Sequence, residues 1–226
     1  MNLPKHIAFI MDGNGRWGLL KKKKRNFGHF YGVKVLEKVV KYASKIHIPI
    51  LTFYVFSTEN WKRPVKEINY LFELIKTYFE REISNLKKNG VKIQILGDLN
   101  KLPSQVKKIL KKSIHETKDN SKILINLCIN YGSKNEIVHS VNRVIKQKKN
   151  SFVTEKKISK NLYFGFPEPD ILIRTGGMKR LSNFMLWQLS YTEIFFLDKL
   201  WPDFSEKDLK EIINKYTKIK RNYGSI

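Results

Sequence analysis

The sequence predicts an α/β fold in a single domain, built on a central, mainly parallel sheet of six strands flanked by helices. Three observations carry this expectation. Short β-rich apolar runs recur along the chain, segments with apolar residues at helical spacing separate them, and most of the runs read as near-continuous apolar stretches. Unbroken apolar strands are those covered on both faces, which is the condition of a parallel sheet between helices. The 226 residues suffice for one substantial core and require no second domain, so one domain over 1–226 is expected.

The elements follow in order. His6 to Met11 has a buried-strand pattern and stops at Asp12-Gly13-Asn14-Gly15, a cluster that requires a tight irregular turn. Tyr31 to Ile46 carries Val33, Leu36, Val39, Val40 and Ala43 at helical spacing, and Ile50 to Phe56 is a β-rich run after Pro49, which completes a βαβ unit. A long amphipathic stretch from Val65 to Leu86, a strand from Val91 to Leu96, a helix from Gln105 to Thr117 and a strand from Ile123 to Ile129 continue the alternation. Helices near Asn135 to Lys146 and Thr154 to Tyr163 come next, then strands at Ile171 to Arg174 and Ile194 to Phe196, and a last helix from Glu206 to about Lys220. The stretch from Lys146 to Lys160 is the most polar and is expected to be a mobile surface region.

Composition narrows the function classes. With 42% hydrophobic and 12% aromatic residues the chain is globular, and no apolar run approaches the ~20 residues that would span a bilayer. Met1 to Met11 lacks the plan of a signal peptide, so the protein is expected in the cytoplasm. The single cysteine, Cys128, lies in an apolar run and reads as a buried small hydrophobe with no catalytic role. A net charge of +24 suggests an anionic partner, but most of the excess is lysine spread along the chain, with only Lys21 to Arg25 forming a dense run. That run is either a solvated loop or helix start, or a phosphate or membrane contact. Arginine is scarcer, with eight residues, and five of them stand beside Gly-rich or turn motifs, where a planar two-pronged donor suits phosphate.

Four motifs fall at the carboxyl ends of the expected strands, where open α/β sheets hold ligands. In Met11 to Trp17, Gly13 and Gly15 let backbone N–H groups approach an anion, Arg16 adds charge and Asp12 can hold a divalent metal. Neither the P-loop pattern nor the dinucleotide G-x-G-x-x-G is present. Arg25 to His29 opens a helix, whose N-terminal N–H groups favour anions, although His29 could equally be a capping residue. Phe56 to Pro64 offers Ser57, Asn60 and Arg63 as phosphate donors, with Phe56 and Trp61 as core or as walls of an apolar substrate. Arg174-Thr175-Gly176-Gly177, with Arg180-Leu181-Ser182, makes a second anion site.

The strings Asp12 to Trp17, Arg25 to His29, Phe56 to Arg63, Arg174 to Gly177, Arg180 to Phe184 and Trp201 to Phe204 resemble, in order and spacing, the signature set of the undecaprenyl diphosphate synthase family of cis-prenyltransferases. The resemblance runs from Ile7 nearly to the C-terminus. It implies a homodimeric, Mg²⁺-dependent enzyme with an apolar product tunnel, which condenses isopentenyl diphosphate onto an allylic diphosphate such as farnesyl diphosphate. The default product is undecaprenyl diphosphate for the bacterial cell-wall lipid carrier. The resemblance assigns Asp12 to catalysis and the metal, with Glu193 as a second metal ligand, and Asn60 to accepting the proton lost. It assigns substrate binding to Gly13, Asn14, Gly15, Arg16, Trp17, Arg25, His29, Ser57, Thr58, Glu59, Trp61, Arg63, Arg174, Arg180, Leu181 and Ser182. Val55, Leu71, Leu74 and Ile75 are candidate gauges of product length.

Two departures from the family pattern bear on this assignment. Met178 and Lys179 stand where an acidic residue and a histidine are common, and Arg221-Asn222-Tyr223-Gly224 replaces a C-terminal Arg-aromatic-Gly. The first leaves a non-catalytic partner subunit as the alternative reading. A nucleic-acid binder would instead cluster its basic and aromatic residues on one face, so no nucleic acid is expected, while peripheral contact with the inner face of a membrane suits a long polyprenyl product.

Overall fold

The computed structural model describes residues 3–147, 152–163 and 167–220. Six strands, β1 (His6–Ile10), β2 (Ile50–Ser57), β3 (Val91–Leu96), β4 (Ile123–Tyr131), β5 (Ile171–Arg174) and β6 (Glu193–Phe196), form one sheet in the order β3-β4-β2-β1-β5-β6, every neighbouring pair parallel. Among the described residues the α-helices are α1 (Asn14–Lys22), α2 (Arg25–Lys45), α3 (Val65–Lys88), α4 (Ser104–Glu116), α5 (Ser133–Gln147), α6 (Glu155–Asn161) and α7 (Glu206–Tyr216). The strands expected from the sequence are all present. Of the expected mobile stretch, residues 148–151 lie outside the described residues, and the remainder ends α5 and forms α6.

One departure from the sequence expectation lies in the first 45 residues. The Gly-rich cluster after β1, expected as a turn, opens a helix, α1, whereas α2 begins at Arg25, where the motif Arg25 to His29 was expected to open a helix although apolar spacing begins only at Tyr31. Neither start carries an apolar stripe, so hydrophobic spacing could not reveal it. Packing between the two helices supplies the reason: a Cβ on Gly28 would lie 1.7 Å from the backbone oxygen of Asn14, so α2 can close on α1 only because that residue is glycine.

The sheet separates two cores. On one face Ile7, Phe9, Leu51, Phe53, Ile171 and Ile173 pack against α2, α3, α4 and α7, with Phe9 stacked on Phe53 at 5.0 Å. On the other face Ala8, Ile10 and Leu172 pack with Cys128, Tyr131, Phe184, Met185 and Leu189. Burial raises the Cys128 thiol pKa, in keeping with an inert thiol. His6 is wholly buried between the carbonyl of Pro167 and Thr52 Oγ1, each 2.7 Å away, and desolvation lowers its pKa to about 4. Because β1 is central, with β2 on one side and β5 on the other, the loops after β1 and β5 part at a crevice, the place where such sheets bind ligands.

Candidate active site

Asp12 leaves β1, and Gly13, at φ +109°, turns the chain into α1, so the N–H groups of the first turn of α1 stand free of helical partners. A Cβ at Gly13 would also approach Leu200 to 2.7 Å, so the turn requires glycine for both its φ and its space. The Asp12 carboxylate accepts from Arg16 Nη2 at 3.2 Å and from Arg174 Nη2 at 3.1 Å. Its backbone oxygen accepts from Thr175 Oγ1 at 2.8 Å, while Arg16 also donates to the carbonyl of Gly176 at 2.8 Å. The loop after β1 is thereby tied to the loop after β5. Arg174 is buried, and its second arm donates to Ser182 Oγ at 2.8 Å and to the carbonyl of Arg180, which folds residues 180–182 back over the crevice. Ser182 and Asn183 hold positive φ there, 52° and 61°.

A second cluster gathers on Glu67, in the first turn of α3. Arg25 Nε donates to Glu67 Oε2 at 3.0 Å and Arg63 Nη1 to Glu67 Oε1 at 3.1 Å, and His29 Nε2 lies 3.4 Å from the same carboxylate without the geometry of a hydrogen bond. Burial alone would raise the Glu67 pKa. The hydrogen bond and charge of Arg25, with Arg63 and His29, more than offset it and hold the carboxyl below its usual range. His29 does not cap α2: desolvation, opposed by Glu67, lowers its pKa to about 4 and keeps the ring neutral. Glu67 was not singled out from the sequence, although the i,i+4 spacing from Arg63 was a usable signal.

Beyond β2, Ser57 and Asn60 form a capping box on the 3₁₀ turn Thr58–Lys62, with the Ser57 N–H donating to Asn60 Oδ1 at 3.1 Å. Glu59 accepts from Asn183 Nδ2 at 2.8 Å, which closes the ring of loops.

These loops enclose a cavity of about 650 Å³. Asp12, Gly13, Asn14, Gly15, Arg16, Arg25, His29, Ser57, Glu59, Asn60, Arg63, Arg174, Arg180 and Ser182 line it as the sequence expected, joined by Tyr54 and Asn183, which sequence reasoning passed over. A second cavity of about 610 Å³ lies between α2, α3 and the sheet and shares Met11, Asn14, His29, Val55 and Leu71 with the first. Its walls are chiefly apolar, and all four expected gauges, Val55, Leu71, Leu74 and Ile75, belong to it.

Five expected site residues stand elsewhere. Trp17 is buried, donating to Asp203 Oδ1 at 2.8 Å and lying 5.0 Å from the Tyr31 ring, so it fastens α1 to the body of the protein. Trp61 donates to Asn130 at 2.8 Å and packs on Phe56 and Phe72. Thr58 and Leu181 lie off the cavity lining, Leu181 packing on the smaller core. Glu193 is level with Ile171 at the start of β6, whereas Asp12 follows the end of β1, so one chain does not bring the two carboxylates together. Residues 221–224 lie outside the described residues.

Residues 10–224 match the family model described as undecaprenyl diphosphate synthase. The chain is 46% identical over 225 residues to an isoprenyl transferase of Fusobacterium nucleatum, covering 100% of this chain and 97% of that one. It is 41% identical to an isoprenyl transferase of Clostridium perfringens, covering 99% and 91%. Among solved structures, lavandulyl diphosphate synthase from Lavandula x intermedia, in complex with dimethylallyl diphosphate, superposes with a TM-score of 0.93 at 28% identity over 99% of both chains. A probable undecaprenyl diphosphate synthase from Campylobacter jejuni does so with a TM-score of 0.86 at 34% identity over 100% of both.

Proposed function

This chain belongs to the undecaprenyl diphosphate synthase family and is a prenyltransferase, and we propose that it condenses isopentenyl diphosphate repeatedly onto farnesyl diphosphate to give a long polyprenyl diphosphate, undecaprenyl diphosphate by default. One observation carries the reading: a cavity lined by five arginines adjoins an apolar cavity with which it shares five lining residues, which suits a substrate with a diphosphate head and a growing hydrocarbon tail. The dimethylallyl diphosphate bound to the lavender enzyme is likewise an allylic diphosphate.

In this reading the allylic diphosphate rests on the first turn of α1, with Arg16, Arg25 and His29 beside it and its tail between α2 and α3. Isopentenyl diphosphate rests on Arg180 and Ser182, which Arg174 holds in place. The allylic C–O bond breaks and diphosphate leaves, its charge met by donors that are fixed before reaction. A C–C bond then forms to the isopentenyl double bond, and the proton lost departs toward Asn60 and the freed diphosphate. Asn60 Oδ1 already accepts the Ser57 N–H, so its side chain is fixed for that position. Apolar walls around the reacting carbons exclude the water that would capture the allylic cation.

Mg²⁺ suits Asp12. Among the described residues no three His, Cys, Asp or Glu gather into a cage, but Mg²⁺ is ordinarily held by one or two carboxylates together with substrate phosphates, and Asp12 is a partly exposed carboxylate beside a phosphate cradle. When bound, the ion would neutralise charge on the diphosphate. The partner-subunit alternative is disfavoured because Asp12, Asn60, Arg63, Arg174 and Arg180 all line one cavity. A homodimer is proposed through β6, an outer strand whose surroundings expose Tyr191 and Ile194. The test is incubation with farnesyl diphosphate, labelled isopentenyl diphosphate and Mg²⁺. Long labelled products that vanish with chelator support the reading, and a folded protein that incorporates no label sinks it.

A further inference from the structure

We propose that the corner where α1 meets α2 is a docking surface for an anionic lipid bilayer, placed beside the mouth of the arginine-lined cavity. Between Asp12 and Glu37 the chain has no acidic residue, yet that segment holds Arg16, Lys21, Lys22, Lys23, Lys24, Arg25 and Lys34. Arg16 and Arg25 belong to the cavity, and Lys21, Lys23, Lys24 and Lys34 are exposed outside it. The same corner presents apolar side chains to solvent, with Leu20 77% and Leu19 48% exposed and Phe27 and Phe30 both 40%.

These groups form one surface. Tyr31 lies 5.0 Å from Trp17, 6.1 Å from Phe27 and 5.8 Å from Phe30, measured between ring centroids, which makes a continuous aromatic ledge. Leu20 follows Trp17 by about one turn of α1 and is exposed where Trp17 is buried, so α1 carries the corner from the protein body out to solvent. Lys34 Nζ sits 4.7 Å above the Phe30 ring. Exposed leucine and phenylalanine beside lysines, in a segment that contributes no carboxylate of its own and meets one only where buried Trp17 holds Asp203, match an acyl and headgroup boundary that carries negative charge. A nucleic-acid surface would have no use for Leu19 and Leu20. The turn abuts the site directly, since a Cβ on Gly15 would come within 2.7 Å of the Arg25 guanidinium. A polyprenyl product would therefore emerge next to lipid, a purpose that rests on the proposed reaction, while the surface itself does not.

The full chain, without substrate, is centrifuged with phosphatidylcholine vesicles and with vesicles containing one-third phosphatidylglycerol, at low and high salt. At least about a hundredfold stronger partition onto the anionic vesicles at low salt is expected, falling about fivefold for each of Lys21→Gln and Lys24→Gln, and lowered also by Leu20→Ser. Neutral and anionic vesicles binding alike, or variants binding like the parent, would overturn the proposal. So would loss of an oligomer in Leu20→Ser by light scattering, which would make the corner a contact between copies, or displacement by tRNA with no effect of Leu20→Ser. Turnover in vesicle-free buffer should be unchanged in these variants. Vesicle binding that behaves as stated in a chain that makes no product would refute the proposed reaction and leave the docking surface standing.

Discussion

The cavity around Asp12 and the cavity between α2 and α3 meet at five residues but are built by opposite means. The first is assembled from loop ends on four elements, held by charge-assisted hydrogen bonds among Asp12, Arg16, Arg174 and Ser182 and among Arg25, Arg63 and Glu67. The second is formed by side chains on regular helices and strands, where spacing alone chooses the lining. Loss of one partner in the first strands its neighbours, whereas the second can be refilled or narrowed one side chain at a time. The first should therefore govern rate and the second product length.

Four measurements sharpen or break that division. Asp12→Ala should cost the largest factor, roughly 10²–10³ in turnover, with the length distribution of the residual product unchanged; a shift in length would show that the two cavities are not separable. Glu67→Gln should raise KM for the allylic substrate about tenfold, because the two arginines lose the buried negative charge that aims them and one of its two acceptor oxygens becomes an NH2 donor, with a smaller effect on kcat.

Acid should weaken the fold itself. His6 and His29 have folded pKa values of about 4 against an ordinary 6.5. Between those values the unfolded chain binds protons that the folded chain does not, so this stability is complete above pH 6.5 and is lost as pH falls toward 4, by about 3 kcal/mol for each histidine at most. Urea melts at pH 7 and pH 5 should show the loss, and His29→Gln should reduce it; equal midpoints at the two pH values would refute the neutral, buried state. Smallest in rate is Ile75→Trp, which should change initial incorporation by less than about threefold, since overpacking an open cavity wall strains little, while shortening the product by one or more isoprene units. An unchanged product would remove Ile75 from the gauge.

The same division explains what could be read from the chain. Every strand of the sheet was legible, the inner ones because burial on both faces makes them almost wholly apolar and the edge strands β3 and β6 from shorter β-rich runs, and the family resemblance named Val55, Leu71, Leu74 and Ile75, four of the residues that line the second cavity. The arginines and glycines of the first cavity were legible as residue types, since phosphate requires them. α1 was not, having no apolar stripe, and while the motif at Arg25 marked the start of α2, the close approach of α2 to α1 at Gly28 was not legible.

Sequence by itself thus determined the parallel α/β fold, the family and the chemical character of the site. Tertiary structure decided which residues meet. It put Glu67 beneath two arginines, turned Trp17 and Trp61 to structural work, and set Glu193 at the far end of β6 from Asp12. The reason is physical: hydrophobic periodicity is a local property of the chain, whereas the partner of a charged or aromatic side chain is chosen by crossover and register, which no short window of sequence contains.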